Sequence, residues 1–440
     1  MSRAGALGDD DLSLRAETSV SSAAMTTSRW DDATLDAFRM RGDALADEAV
    51  AALFKESKED VAAIQRVMNT LVFNDQAVPE DLPAALRDYF GAFDALEVPA
   101  REEARVRAGE RFFATHGPEI CLVLGCFSLP AAYAARKGVQ VLYRTGYLAK
   151  RPNRRLFETT QMVIDVMTPG GLERAPTEGQ GASRRRARGL RTIQKVRLMH
   201  AAVRNLIQHD ASLPWDAAEL GVPINQEDLA GTLMTFSEVV LEGLRSLHIE
   251  YDPEGAAAYL DAWRLVGALM GVDPRLIPAD LAEAEELTKR IHDRQIAPSA
   301  EGKLMTRALL DFMEENVPLH ALDGLPASLM RLFFEPYPGV ADELGIPAHR
   351  LEERLLRVAT ELGGRIASTI DAEAHRYRLL RAASIAWIQL WINVDRGGQR
   401  AQFEVPTDLR EYWDLPNVEE PSVWERLGRW VLGRDHGGDR

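Results

Sequence analysis

Apolar residues recur at spacings of three and four along most of this chain, which is the period of a helix with one buried face. Strict alternation of apolar and polar residues, the pattern of a half-buried strand, is nearly absent. The pattern therefore predicts an all-α protein. Helices are predicted at 28–58, 59–73, 80–95, 99–115, 153–167, 191–210, 226–247, 253–270, 281–296, 301–315, 326–334, 347–361 and 365–394.

Local signals set some of the boundaries between these helices. A break is predicted at Gly117 and Pro118, because proline lacks the N–H that continues a helix. The following run, 119–135, is so apolar that it is expected in the interior. Asn225 is predicted to cap the helix that follows it, with Asp228 completing an N-terminal capping box.

The chain divides by composition into one large domain and two flanking segments. Residues 1–27 are rich in Ser, Thr, Ala and Asp with little to bury, so a disordered leader is expected. Residues 28–395 form a single all-α domain in this interpretation, since no internal repeat divides them. The tail, 396–440, is rich in loop residues and contains one short predicted helix at 424–432.

Charge and hydropathy narrow the partners and the location. The 440 residues carry a formal net charge of −15, which argues against nucleic acid or an anionic membrane as the main partner. No stretch of about 18 unbroken apolar residues occurs, so no transmembrane segment is expected. The N-terminus lacks the apolar core of a signal peptide, and we expect a cytoplasmic protein.

Several common enzyme classes lack their motifs here. Cys121 and Cys126 lie in the apolar run ICLVLGCF, cannot supply a four-ligand zinc site, and are expected as reduced core thiols. Paired Glu-x-x-His sequences, His-Glu-x-x-His, Gly-x-Ser-x-Gly, the Walker loop and the dinucleotide-binding glycine pattern are all missing. Candidate functional residues must therefore be identified from their positions on the predicted helices rather than from a short sequence motif.

The helix predicted at 191–210 places one histidine, His200, in the middle of its apolar stripe. Arg197 precedes it by three residues and Arg204 follows it by four, which puts both guanidinium groups along one border of the stripe. A neutral imidazole among aliphatic groups, edged by cations, suits a flat, apolar ligand that is acidic at one margin, and haem has these properties. The stripe consists of Ile193, Val196, His200, Val203 and Ile207.

The same pattern has a purely structural explanation. His200 could be a core histidine that donates to a backbone carbonyl, with Arg197 and Arg204 in surface ion pairs, because a single histidine is a weak signal for a metal.

On the helix at 153–167, Arg155 and Thr159 fall on a row beside the apolar stripe. An arginine facing inward there requires a carboxylate nearby, since an unpaired buried charge is costly.

Four segments together carry a resemblance to a known family. They occur in consistent order within roughly residues 110–340, and no single one is long. In this set the chain resembles the oxygenase family that includes the rubber oxygenases, also called latex clearing proteins, and the mycophenolic-acid-pathway oxygenase. The segments are RRLFETTQ at 154–161, KVRLMHAAVR at 195–204, GVPINQEDLAGTLMTFS at 221–237 and YLDAWRLVGALMGV at 259–272.

The resemblance implies an expanded globin-like helical fold that holds haem b, with His200 as the metal ligand. It also implies a distal Arg-x-x-Lys-Thr motif, matched here by Arg155 and Thr159, while Glu158 stands in the place of the lysine. Glu158 is open to two interpretations. It forms an i,i+3 ion pair with Arg155, or it is a distal carboxylate that acts as a base.

We therefore hypothesise a haem-dependent oxygenase that uses O2 to cleave or oxygenate a C=C bond of a hydrophobic small molecule, such as a prenyl, terpenoid or unsaturated lipid compound. In this hypothesis Arg155, Glu158 and Thr159 are catalytic and His200, Arg197 and Arg204 bind the cofactor. The alternative is a haem-binding or gas-sensing protein without turnover, or a metal-free binder of an apolar ligand. The oligomeric state stays open.

Overall fold

A computed structural model describes residues 29–56, 82–96, 103–145, 152–173, 188–316 and 324–349, with only the backbone described for 54–56, 152–158 and 315–316. Across these ranges there is no β-strand, and one isolated bridge joins Ala135 to Ile296. The predicted all-α fold class is confirmed. The segments predicted as a leader at 1–27, as helices at 59–73, 347–361 and 365–394, and as a tail at 396–440 lie outside the described residues.

The helices follow one another with short connections. A π-helical turn, Leu124–Ser128, joins α4 to α5, and a 3-10 turn, Pro274–Leu276, precedes α13. In chain order the α-helices are α1 Asp32–Arg39, α2 Ala44–Glu56, α3 Ala84–Asp94, α4 Glu103–Val123, α5 Leu129–Ala134, α6 Val139–Arg144, α7 Pro152–Met167, α8 Arg188–Gln208, α9 Ala217–Leu220, α10 Gln226–Phe236, α11 Glu238–Ser246, α12 Pro253–Leu269, α13 Leu281–Gln295, α14 Ala300–Asn316, α15 Leu325–Phe333 and α16 Val340–Glu343.

The single helix predicted at 28–58 is wrong, because α1 and α2 are separate. Asp31 caps α1 by accepting a hydrogen bond from the amide of Thr34 at 2.8 Å, and α1 ends at Arg39. In the turn before α2, the carbonyl of Gly42 accepts a hydrogen bond from the Gln226 side chain at 2.9 Å. A tertiary contact between residues that are distant in sequence, Gln226 and Gly42, therefore stabilises a break that local periodicity does not indicate.

The helix end predicted at Gly117 and Pro118 is also wrong, since α4 continues to Val123 with Pro118 inside it. An internal proline costs roughly 3 kcal/mol in an isolated helix. Here the surrounding residues are buried, and α4 lies so close to α12 that a Cβ on Gly109 would come within 2.4 Å of the Ala258 carbonyl oxygen. Burial of this helix outweighs the local penalty.

The continuous helical segment Glu103–Ala134 has the length and composition of a membrane span, with a mean hydropathy of 1.4 over its most apolar window. Within the described structure, 72% of that window is buried against the rest of the protein. The segment is accounted for as the central core helix, as the apolarity of 119–135 predicts.

The buried apolar residues of the described ranges divide into two clusters. The main core surrounds α4, α10, α11 and α12. A smaller one lies between α2 and α3 and the face of α8 that carries Leu198 and Ala201. This second core is composed of Ala46, Ala49, Val50, Leu53, Leu82, Leu86, Tyr89, Phe90, Leu198 and Ala201.

The N-terminus of α10 joins three parts of the chain. Asn225 accepts a hydrogen bond from the Asp228 amide at 3.0 Å, which confirms the predicted cap. The fully buried Glu227 accepts bonds from Arg39 of α1 at 3.0 Å and from Arg294 of α13 at 3.0 Å. Gln295 donates to the same carboxylate at 3.1 Å, so Glu227 connects α1, α10 and α13.

Candidate functional site

The helices that carry the predicted site residues, α7 and α8, are joined near the end of one and the start of the other. Thr192 of α8 donates to the Asp165 carboxylate of α7 at 2.8 Å. A Cβ on Gly189 would lie 2.6 Å from the carbonyl oxygen of Gly171, so the two backbones approach closely. Glycine at the start of α8 is required by this close approach.

Thr159 and His200 lie at similar distances from this joint, measured along the axes of their helices. Thr159 precedes Asp165 by six residues and His200 follows Thr192 by eight, which correspond to about 9 Å and about 12 Å of helix. The two helices pack against each other, and a site that uses Thr159 together with His200 stays a prediction. Thr159 is half-buried.

Arg155 and Glu158 belong to α7, one turn before and beside Thr159. Their side chains lie outside the described residues, so the proposed carboxylate partner of Arg155 and the two interpretations of Glu158 stay predictions. The helix itself, predicted at 153–167, is confirmed at Pro152–Met167.

The apolar stripe around His200 is covered at its ends and open in its middle. Ile193 and Ile207 are buried, whereas Val196, His200 and Val203 are only half-buried. Beside them Met199 is 39% exposed and Leu206 is 56% exposed. We call this set (Val196, Met199, His200, Val203 and Leu206) the α8 sector. An apolar surface that the described protein leaves partly uncovered around an imidazole fits a flat apolar cofactor.

Arg197 turns away from the α8 sector and is held by α2 and α12. Its Nη2 donates to Oδ1 of Asp43 at 2.7 Å, and its Nε donates to Oδ2 of the same carboxylate at 2.5 Å. Its Nη1 donates to the Leu269 carbonyl at 3.0 Å. Both side chains of this ion pair are buried.

Arg204 is also buried, and its guanidinium donates to the carboxylate of Asp47 in α2. Its Nε and Nη2 donate to the carbonyls of Pro223 at 2.9 Å and Ile224 at 2.8 Å. Surface ion pairs were considered from the sequence, but both guanidinium groups are buried: the Arg197 pair is buried on both sides, and Arg204 meets a carboxylate that is 33% exposed. Contact of Arg197 and Arg204 with a haem carboxylate stays a prediction, and the structure gives both groups protein partners.

Asp43 and Asp47 were missed by sequence reasoning. Two buried cations on one helix require carboxylates from elsewhere in the fold. Among 67 acidic residues the pattern does not say which ones approach. The available signal is the segment Gly42-Asp43, followed four residues later by Asp47, at the start of a helix.

No cluster of three or more His, Cys, Asp or Glu side chains able to hold a metal ion is found in the part of the chain that the structure describes. Haem would not need such a cluster, because the porphyrin nitrogens supply most of the ligands of its iron and one side chain of the protein suffices to hold it. The free thiols Cys121 and Cys126 are buried, as expected, and burial raises the pKa of the Cys121 thiol to about 12. Their reactivity as thiolates is low for that reason.

Glu110 of α4 holds the loop that follows α7. Its buried carboxylate accepts a hydrogen bond from the Gly170 amide at 3.2 Å. Burial raises the pKa of Glu110 from its ordinary 4.5 to about 7, and the Gly170 hydrogen bond opposes that shift without cancelling it. Between about pH 4.5 and about pH 7 the folded protein therefore keeps a proton on Glu110 that the unfolded chain releases.

This shift predicts a pH dependence of stability. Because the folded state binds the proton more tightly, stability falls as pH rises from about 4.5 to about 7 and is flat above that window. Glu110→Gln removes the titration, so from pH 4.5 to 8 the variant should lose less stability than the wild type, by about 3 kcal/mol. Urea unfolding at several pH values measures this, with Glu103→Gln on the exposed part of α4 as the control. Parallel curves for wild type and Glu110→Gln would contradict it.

Comparison with known proteins shows the family to which the chain belongs. A model of the family described as "ER-bound oxygenase mpaB/B'/Rubber oxygenase, catalytic domain" matches residues 116–365. The rubber oxygenase of Streptomyces sp. (strain K30) is 26% identical over 325 residues, which are 73% of this chain and 74% of the relative. The solved structure of latex clearing protein in its closed state has a TM-score of 0.64 and 22% identity, over 84% of this chain and 94% of that one.

At that identity the solved structure shows the shared helical fold. The family match covers more than half of the chain and includes α7, α8 and the α8 sector. It therefore decides between the two classes considered from the sequence, an enzyme and a binder without turnover. The chain belongs to the mpaB/rubber oxygenase family of oxygenases.

Proposed function

We propose that this oxygenase works with haem b held through His200, and that it cleaves or oxygenates a C=C bond of a hydrophobic substrate. The observation that carries the proposal is the α8 sector, where a half-buried imidazole lies among apolar side chains that the described protein leaves partly uncovered. Haem, when bound, supplies the redox chemistry that activates O2. The protein contributes the ligand, the apolar surface and the polar groups nearby.

His200 would bind the iron through one ring nitrogen in its neutral form, while the other nitrogen donates a hydrogen bond. Val196 and Val203, one turn before and after it, would contact the flat face of the macrocycle. On α7, the Thr159 hydroxyl would donate a hydrogen bond towards the space between the two helices. Arg155 would add positive charge on that side.

Glu158 is proposed to hold and move a proton at its carboxylate. Glu158→Gln keeps the shape and removes that capacity, so turnover should fall by at least about 100-fold and the pH–rate profile should lose its acidic limb. Steady-state rates from pH 5 to 9 measure both effects, with Glu254→Gln at the exposed start of α12 as the control. An unchanged profile in Glu158→Gln would remove the proposed base and favour the ion pair with Arg155.

The substrate is proposed to be a prenyl, terpenoid or unsaturated lipid compound in the cytoplasm. Support comes from the apolar α8 sector and from the similarity to the rubber oxygenase of Streptomyces sp. (strain K30), an enzyme named for an apolar substrate. A terpenoid and a lipid share the property that matters here, which is an alkene within an apolar chain.

The first test is the absorption spectrum of the purified full-length protein, which should show a Soret band, or gain one when haemin is added. Protein that remains colourless with added haemin would contradict the haem proposal. Oxygen uptake and carbonyl products are then measured with a prenyl alcohol, a terpene, an unsaturated fatty acid and cis-polyisoprene. Turnover of cis-polyisoprene alone would show that the substrate is the polymer rather than a small molecule.

A further inference from the structure

We infer that Asp43 and Asp47, at the start of α2, are positioning residues that fix the orientation of His200 by holding α8 at two points. Both residues lie outside the family match at 116–365, and neither touches the α8 sector through a contact described above. The inference rests on the proposed role of His200 as the haem ligand. We call the two ion pairs, Asp43 with Arg197 and Asp47 with Arg204, the α8 clamp.

The first point of the α8 clamp is a two-bond fork. Arg197 meets Asp43 through Nε and Nη2, with the side chains 7% and 5% exposed. A bidentate guanidinium–carboxylate pair fixes direction as well as distance. The third donor of Arg197, directed to the Leu269 carbonyl, ties the same point to the end of α12.

The second point joins α8 to the loop before α10. Arg204, whose side chain is 3% exposed, contacts Asp47 and also donates to the carbonyls of Pro223 and Ile224. Oδ2 of Asp47 accepts a hydrogen bond from the backbone amide of Asp43 at 3.0 Å. The two acidic residues are therefore coupled within a single helical turn.

The spacing of the two points determines what they hold. Arg197 and Arg204 are seven residues apart, about 10.5 Å along the axis, and almost in line on the helix surface. His200 lies between them, three residues after one and four before the other. A single contact allows a helix to pivot or rotate, whereas two in line fix both its rotation and its axial position. The direction of the imidazole is then fixed as well.

The backbone around the α8 clamp is shaped to fit it. A Cβ on Gly42 would lie 2.4 Å from Oδ2 of Asp47 and 3.0 Å from Nε of Arg204. A Cβ on Gly271, whose φ is +82°, would lie 2.8 Å from Nη2 of Arg197. Glycine at both positions leaves room for the guanidinium groups, and at Gly271 it also accommodates the left-handed backbone.

The experiment uses the haem-loaded full-length protein with Asp43→Asn and Asp47→Asn, which preserve shape and remove charge. The control is Glu238→Gln, since Glu238 is a carboxylate 4% exposed, paired with Arg245 at 2.6 Å, on α11 rather than next to α8. Two quantities are measured: the rate of haem transfer to excess apomyoglobin, and the iron–histidine stretching frequency of the ferrous protein by resonance Raman spectroscopy.

We expect each Asp variant to release haem about 10-fold to 100-fold faster and to shift or broaden the iron–histidine band, because a ligand held less firmly binds less well. The control should leave both unchanged even if its stability falls. Unchanged release and an unchanged band in both Asp variants of a haem-binding protein would overturn this inference alone. A wild-type protein that binds no haem would overturn the proposed function instead. If either variant does not fold, Arg197→Lys, which keeps the charge and loses the fork, decides by the same two measurements.

Discussion

Replacing His200 with alanine is expected to abolish the Soret band of the haem-bound protein and to weaken haem binding by more than about 100-fold. Even substitutions of residues that only hydrogen-bond to a metal ligand lower the affinity for the metal by about 10-fold to 100-fold. Haemin titration of the apoprotein followed by absorbance measures the effect. Because α8 is held by its arginines and by Leu198 and Ala201, the helix should remain folded in the variant. Far-ultraviolet circular dichroism checks this.

The chain offers a matched control for that variant. His209 lies one residue beyond the end of α8, is exposed, and has its Nδ1 2.8 Å from the Asn205 carbonyl oxygen. His209→Ala should leave haem affinity and spectrum unchanged. If instead His200→Ala retains haem with the wild-type spectrum, the iron ligand is another residue and the α8 sector has a different role.

Glu227→Ala is expected to destabilise the fold by about 3–5 kcal/mol. It removes the fully buried partner of the buried Arg39, which keeps the ion pair with the partly buried Asp228, and it takes one carboxylate away from Arg294. Urea unfolding followed by tryptophan fluorescence measures this. Glu227→Gln should lose less, since an amide oxygen can still accept one of the hydrogen bonds.

Glu250 supplies the comparison for this prediction, because it is exposed in the loop between α11 and α12. Glu250→Ala should change stability by no more than about 0.5 kcal/mol. A Glu227→Ala variant as stable as Glu250→Ala would show that the contact between α1, α10 and α13 contributes little to the fold.

The segment containing Glu227 also shows what motif recognition does and does not convey. GVPINQEDLAG is among the segments that carry the family resemblance, yet its polar residues cap α10 and join helices. Asn225 and Gln226 hold backbone groups of neighbouring loops, and Glu227 holds cations. A motif can thus identify an oxygenase family through residues that stabilise its architecture.

Helical periodicity was sufficient to predict the fold class and most of the helices, because each helix buries one continuous face. It failed where a distant partner decides the local structure. The break between α1 and α2 depends on Gln226, more than 180 residues away, and the continuation of α4 through Pro118 depends on close packing against α12. Neither partner is visible in a local window of sequence.

The candidate site was predictable to a similar extent. Spacing alone placed His200 on the apolar stripe of its helix and Arg155 and Thr159 on one row of the helix at 153–167, and the resemblance added Glu158 and the proposed roles. The incomplete cover of the α8 sector could not be predicted, since it depends on how the neighbouring helices pack. The partners of Arg197 and Arg204 lie about 150 residues upstream and became apparent only in three dimensions.

The small core formed by α2 and α3 on the back of α8 is separate from the main core. Proteins open in cooperative units of unequal stability, and a cluster of ten buried residues is a natural unit of that kind. If haem binds through His200 as proposed, its residence time would then be governed by detachment of α2 and α3 rather than by global unfolding. Amide hydrogen exchange in α8 would follow the opening of α2 and α3, while α4 and α12 remain protected.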